Sequence, residues 1–197
     1  MRFQRAATVA AAAITTIALA GCSSNATSAD PKGFNDADVD FASDMIQHHA
    51  QALEMVDLTL GRQLDPKVAE VTEQIRAAQA PEIEQMVDWL EDWDKPVPET
   101  SRDHANAHAQ EHGESTDMDT DMPGMMSAEE MDALENSSGE AFQTMWMEMM
   151  IEHHEGAVEM AETVVDEGQN AEVRALAEDV IETQSAEIET MQGLLEG

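Results

Sequence analysis

Met149-Met150-Ile151-Glu152-His153-His154-Glu155-Gly156-Ala157-Val158-Glu159-Met160-Ala161 decides the reading of this chain, because an earlier stretch repeats it. When the chain is shifted so that residue 45 meets residue 150, Met45-Ile46-Gln47-His48-His49 falls on Met150-Ile151-Glu152-His153-His154. Ala52, Glu54 and Met55 then meet Ala157, Glu159 and Met160. The match continues without a gap: Gln79, Glu82, Ile83, Glu84, Met86 and Leu90 meet Gln184, Glu187, Ile188, Glu189, Met191 and Leu195. Identity holds at 15 of the 50 positions in 41–90, too many for coincidence, so the chain carries two copies of one unit.

Each unit reads as two helices. From Asp36 to Leu60, Phe41, Met45, His48/His49, Ala52 and Met55/Val56 recur at helical spacing, and Gly61 closes the element. Asp65-Pro66 has the form of an N-cap followed by a first-turn proline. The helix it opens runs towards Trp93, with Pro81 inside it predicting a kink. The second copy opens with Ser127-Ala128-Glu129-Glu130, a capping box, and a short helix to Glu135 that Gly139 breaks. A long helix to Glu167 follows, then Gly168 as stop, Asn170 as N-cap and a last helix to Leu195. Two antiparallel hairpins of equal size whose apolar stripes can only face each other predict an all-α four-helix bundle without strands.

Composition narrows the function. The chain has 197 residues, 42 Asp+Glu against 9 Lys+Arg and a formal net charge of −33. Lys32, Lys67 and Lys95 are the only lysines, so a nucleic-acid or phosphate-binding surface is excluded. With one Cys there is neither a disulfide framework nor a Cys-based zinc site. Hydrophobic residues at 42%, periodic in two regions, exclude full disorder. Among the remaining residues, 15 Met and 7 His carry most of the chemical information.

Arg2 and Arg5 precede an apolar run from Ala6 to Ala20, too short to span a membrane comfortably and of signal-peptide form. It ends Leu19-Ala20-Gly21-Cys22, similar to a bacterial lipobox in which the Cys is lipidated. The expected organisation is a lipoprotein signal peptide over 1–21, a flexible tether over 22–34, hairpins over 35–94 and 128–197, and a linker over 95–127. The protein is thus expected on the extracytoplasmic face of a bacterial cell membrane, held by Cys22. The linker lacks Leu, Ile, Phe and Trp, yet holds His104, His108, His112, Met118, Met122, Met125 and Met126. In helical form its three His would share one face.

Met45 and His48, repeated as Met150 and His153, stand three residues apart, which places thioether and imidazole on one helix face. Met55 and Met160 follow two turns on. His49 and His154 are offset by about 100° and look along helix boundaries. Met86 and Met191 add thioethers from the second helices. Soft thioethers favour Cu(I), and by analogy Ag(I), while imidazole suits copper and other transition metals. A carboxylate-bridged di-iron site would need Glu-x-x-His, and no His here has Glu three residues before it. Glu82, Glu84, Glu187 and Glu189 still keep a ferroxidase-like alternative open. No hydrolytic or phosphate-binding motif is present, so an enzyme is not expected.

At these residues the chain resembles the domain-of-unknown-function family 305. Phe41-x-x-x-Met45-Ile46-x-His48-His49, the stretch 149–161, and Gln-x-x-Glu-Ile-Glu-x-Met at 79–86 and 184–191 carry the resemblance. So does Met126-Ser127-Ala128-Glu129-Glu130-Met131-Asp132-Ala133-Leu134. It covers both hairpins but neither the lipobox nor the linker. It implies a ferritin-like bundle, often secreted, with copper or silver binding in some members, and points to His48, His49, His153, His154, Met45, Met55, Met150 and Met160. One departure stands out: Gln51 occupies the place of the family-like Gly156, so packing around the two His pairs is expected to differ.

The leading expectation is a lipid-anchored binder of Cu(I) or Ag(I) acting in sequestration or handover. Its partners would be metal ions, the membrane, and a further copy or a transfer partner. The alternatives are a structural or interaction lipoprotein without metal and a ferroxidase-like di-metal oxidase.

Overall fold

Five helices and no strand make up the described residues, 33–100 and 122–197 of the computed structural model. They are α1 (Asp36–Asp57), α2 (Pro66–Asp92), α3 (Ala128–Asn136), α4 (Gly139–Glu167) and α5 (Ala171–Glu196). The expected signal peptide, Cys22, the tether, His104, His108, His112 and Met118 lie outside the described residues. Among the described residues no helix is long and apolar enough to cross a membrane.

The helix ends follow from local chemistry. The side chain of Asn35 accepts from Asp38 N at 3.1 Å while the Asp38 carboxylate accepts from Asn35 N at 2.8 Å, a reciprocal cap that starts α1. α1 ends at Asp57, ahead of the expected Leu60. There Thr59 N and Leu60 N turn back to Val56 O and Asp57 O in tighter three-residue steps, before Gly61 reverses the chain at φ +76°. Asp65 caps α2 by accepting from Lys67 N at 2.8 Å, with Pro66 in the first turn. α2 runs through Pro81 as one uninterrupted element, with the ring on its exposed face. Ser127 and Glu130 form the expected capping box of α3. The break after α3 falls at Ser137-Ser138, where the Ser137 hydroxyl donates back to Leu134 O, and Gly139 becomes the first residue of α4. Asn170 caps α5 through Glu172 N and Val173 N.

α1 lies along α2 and α4 along α5; α1 also packs on α4, α2 on α5, and α3 on α4. α1 and α4 run antiparallel, since Asn35 Nδ2 donates to Glu167 O at one end and Trp146 Nε1 donates to Met55 O towards the other. Asp38, fully buried, accepts from Gln169 N and Asn170 N. The residue at its place in the second copy, Gln143, accepts from Asp65 N, so each copy holds the N-cap of the other's second helix.

Positions 105 residues apart in the sequence also trade places in the core. One apolar cluster joins Phe41, Met45, Met86 and Leu90 of the first copy to Ala157, Val173 and Val180 of the second. The other joins Ala52, Val68 and Ile75 to Trp146, Met150 and Met191, the same positions with the copies exchanged. Between the clusters every long helix contributes polar residues: His48 and His49 from α1, Gln79 and Glu82 from α2, His153 and His154 from α4, Gln184 and Glu187 from α5. A polar layer at mid-height of an apolar core is costly unless its groups are paired or used.

Candidate metal centre

The crossing of α1 and α4 puts His48 against His153, with ring centroids 3.7 Å apart and planes inclined by 39°. All four imidazoles are fully buried. The His48–His153 contact joins the two pairs, and the His154 ring lies 6.4 Å from that of His153. Each outer imidazole leans on a carboxylate of the neighbouring helix: His49 Nε2 is 2.7 Å from Glu82 Oε2, and His154 Nε2 is 2.7 Å from Glu187 Oε2. These two contacts are equivalent under the repeat. His48 Nε2 is 3.0 Å from the backbone oxygen of Pro123.

Acceptor chemistry fixes the tautomers. A carbonyl oxygen cannot donate, so His48 carries its hydrogen on Nε2, and the carboxylate oxygens of Glu82 and Glu187, as acceptors, place a hydrogen on Nε2 of His49 and His154. The Nδ1 lone pairs of all three are left buried without a hydrogen-bond partner. His153 has no partner at either ring nitrogen. A ring held through one nitrogen by a carboxylate or carbonyl, with the other nitrogen bare, is also the way metal-ligating histidines are set. Both polar atoms of Gln79 and Oε1 of Gln184 are likewise buried and unpartnered.

Burial favours the neutral form of His48, His153 and His154. Burial first, then the neighbouring His49, pushes the pKa of His48 down from 6.5 to about 3, against the pull of Pro123 O. Burial, then His48, holds His153 well below the usual range; the His48 backbone opposes this least of the contributors. Burial also lowers His154, with Glu187 opposing. Neutral imidazole is the form that binds metal.

A strap crosses this centre. In Met122-Pro123-Gly124-Met125, Pro takes the second turn position and Gly the third at φ +74°, and Met125 N donates to Met122 O at 3.3 Å. Met125 and Met126 are buried, so this end of the expected linker is packed on the helices. Gln51, the departure noted in the sequence, grips the strap: Nε2 donates to Met126 O at 2.8 Å and Oε1 accepts from Met126 N at 2.7 Å.

Of the expected thioethers, Met45, Met55 and Met150 are fully buried, as are Met86 and Met191, whereas Met160 and Met122 are only partly buried. Met45 and Met150 lie one turn before His48 and His153. Met55 belongs to one apolar cluster and Met160 borders the other, so the structure keeps these two apart. Among the described residues no group of three or more His, Cys, Asp or Glu side chains is arranged to hold a metal ion. What the centre offers is bare imidazole nitrogen with thioethers a turn away, a donor set of the kind a soft monovalent ion takes in low coordination. The sequence named Glu82 and Glu187, with Glu84 and Glu189, only as carboxylates for a ferroxidase-like alternative and not as partners of His49 and His154; their equal 33-residue spacing from those His was the available signal. Pro123 had no such signal, and Gln51 stood out only as a departure between the copies.

The profile of the domain of unknown function DUF305 matches residues 38–195. Solved structures give the same affiliation. A DUF305 fragment from Deinococcus radiodurans is 32% identical with a TM-score of 0.67, over 82% of this chain and 97% of that one. A DUF305 protein from Streptomyces coelicolor, described as a candidate secreted protein, is 31% identical with a TM-score of 0.68, over 81% of this chain and 92% of that one. CopM in its Cu(I)-bound form is 27% identical with a TM-score of 0.61, over 81% of this chain and 95% of that one, and CopM is also known in Cu(II)-bound and Ag-bound forms. No curated protein matches the chain.

Proposed function

This chain belongs to the DUF305 family, and we propose that it binds Cu(I) or Ag(I) at the His48–His153 crossing, for sequestration or handover. The observation that carries the reading is the set of buried, partnerless nitrogens on four clustered imidazoles, three of them oriented through Nε2. Unsatisfied buried polar atoms each cost about 1–3 kcal/mol. A layer of them that recurs in both copies is expected to have a use. The copper- and silver-bound forms of CopM support the choice of ion.

In this reading the two hairpins form a ferritin-like four-helix bundle that holds the ion as cargo. His48, His49, His153 and His154 supply nitrogen and Met45 and Met150 the nearest thioethers. The apolar clusters on both sides keep water out. Met55 and Met160 serve the path in and out, His104, His108, His112 and Met118 capture ions, and Met122 adds a thioether at the strap. Cys22 carries the lipid that keeps the protein on the extracytoplasmic face of the membrane. The protein binds and passes on its ion without turnover.

The test is an anaerobic Cu(I) titration against a competing chelator, on the chain from residue 22 with Cys22→Ser to remove the thiol. Tight binding that is lost when His48, His49, His153 and His154 are all changed to Ala, and kept when 101–121 is deleted, supports the bundle site. Far-UV circular dichroism checks that the quadruple variant remains helical. Loss with the deletion alone moves the site to the linker, and absence of competitive binding in the parent overturns the copper reading.

A further inference from the structure

Gln51 and Gly156 hold equivalent places in the two copies, three residues after His48 and His153. Their different side chains answer to one strap. On α4 the strap backbone lies directly on the helix backbone: a Cβ at Gly156 would stand 2.1 Å from Pro123 O and 2.4 Å from Pro123 C. From the other side, a Cβ at Gly124 would meet Glu152 O at 2.6 Å and His153 O at 3.0 Å. On α1 the strap is held by hydrogen bonds. Gln51 is fully buried, and both ends of its amide are spent on Met126 N and O, the pairing a neighbouring β-strand would give. Contact on one side and a two-bond clamp on the other leave the strap little freedom to slide. Its turn then puts Pro123 O 3.0 Å from His48 Nε2.

We infer that Gln51 is a positioning residue of the centre: by clamping Met126 it makes Pro123 hold His48 in the Nε2–H tautomer, so that Nδ1 is the atom His48 gives to the ion. Glu82 and Glu187 do this directly for His49 and His154. His48 has no carboxylate, and the strap stands in for one. His153, whose ring nitrogens make no hydrogen bond of standard geometry, is the least constrained of the four imidazoles. The role in binding rests on the proposed Cu(I) or Ag(I) reading; the tautomer assignment does not.

The experiment is long-range proton–nitrogen NMR on the metal-free protein with 15N-labelled histidine near neutral pH, which reads each tautomer from its ring nitrogens. In the parent, His48, His49 and His154 are expected as Nε2–H. In Gln51→Met, which keeps the volume and removes the amide, His48 is expected to become a tautomer mixture while His49 and His154 stay as they were. Their unchanged signals show that the fold is intact. Gln51→Ala serves as the second variant, with the same expectation. An Nδ1–H tautomer at His48 in the parent overturns the inference whatever the variants do. So does a pure Nε2–H signal in a folded variant, or collapse of the His49 and His154 signals in both variants, which would make Gln51 a fold determinant. Cu(I) titration of Gln51→Ala, which adds no thioether beside His48, is expected to show about ten- to a hundredfold weaker binding. A parent that binds no Cu(I) removes the proposed function and leaves the tautomer result standing.

Discussion

The two copies agree where they make the centre and disagree where they meet the strap. His49–Glu82 and His154–Glu187 are the same contact at the same 2.7 Å, and the two apolar clusters are exchanged versions of each other. Three residues past the inner His of each pair the likeness stops: the first copy has a clamp and the second a gap. A twofold repeat cannot treat a single crossing segment alike on both sides, so one copy had to give up volume and the other supply hydrogen bonds. The lesson is that likeness between the copies marks the groups that face the ion, and unlikeness marks the accommodation of the rest of the chain.

The sharpest way to break this comparison is to give the second copy a side chain. Gly156→Ala sets a methyl group 2.1 Å from a backbone oxygen, and neither backbone can swing away as a flexible side chain could. The expected loss is about 3 kcal/mol or more in unfolding free energy, read by urea denaturation. Gly193→Ala on α5, where a Cβ meets nothing within 4 Å, should instead gain about 0.5–1 kcal/mol. Equal behaviour of the two variants would mean that the strap does not lie on α4.

Acid offers a graded test of the layer that the copies share. The unfolded chain takes up protons on these His near 6.5, while in the folded chain burial holds His48 to about 3 and lowers His153 and His154. Between those limits the unfolded state binds more protons, so stability falls as the pH drops below about 6.5. The urea midpoint should therefore decrease from pH 7 to pH 5. In that window most of the carboxylates are still ionised, so the relief of acidic repulsion has barely begun. A flat or rising midpoint would place the imidazoles in solvent. His153→Gln should flatten the slope, since it removes one of the groups that resists protonation.

Much of this was legible in the sequence because it is local or periodic. The helices and the caps at Asp65, Ser127 and Asn170 follow from residue types at fixed spacing. The departure at Gln51 was visible, but not its meaning, because the partner is a backbone 75 residues away with no side-chain signature. For the same reason 122–127 read as the end of a linker: its burial depends on Met125 and Met126 finding a groove that exists only once α1 and α4 have crossed. Asp38 escaped notice in the same way. As a carboxylate early in a helix it looks like surface, yet it is fully buried on backbone donors of the opposite copy.

The smallest expected effect sharpens the comparison most. Glu82→Gln and Glu187→Gln each keep an oxygen able to accept from His Nε2–H, so the tautomer survives and only the negative charge is lost. That charge raises the basicity of the imidazole behind it, and its removal should weaken Cu(I) binding by about tenfold, the low end for a group that orients a metal ligand. The two variants should agree within a factor of about three, since the contacts are equal in length and the carboxylates comparably exposed, at 16% and 13%. Equal losses in the chelator competition would say that the ion draws on both copies together. A loss confined to Glu187→Gln would say instead that the ion sits on the second copy, beside the unengaged His153, and that the clamp on the first copy holds His48 in reserve.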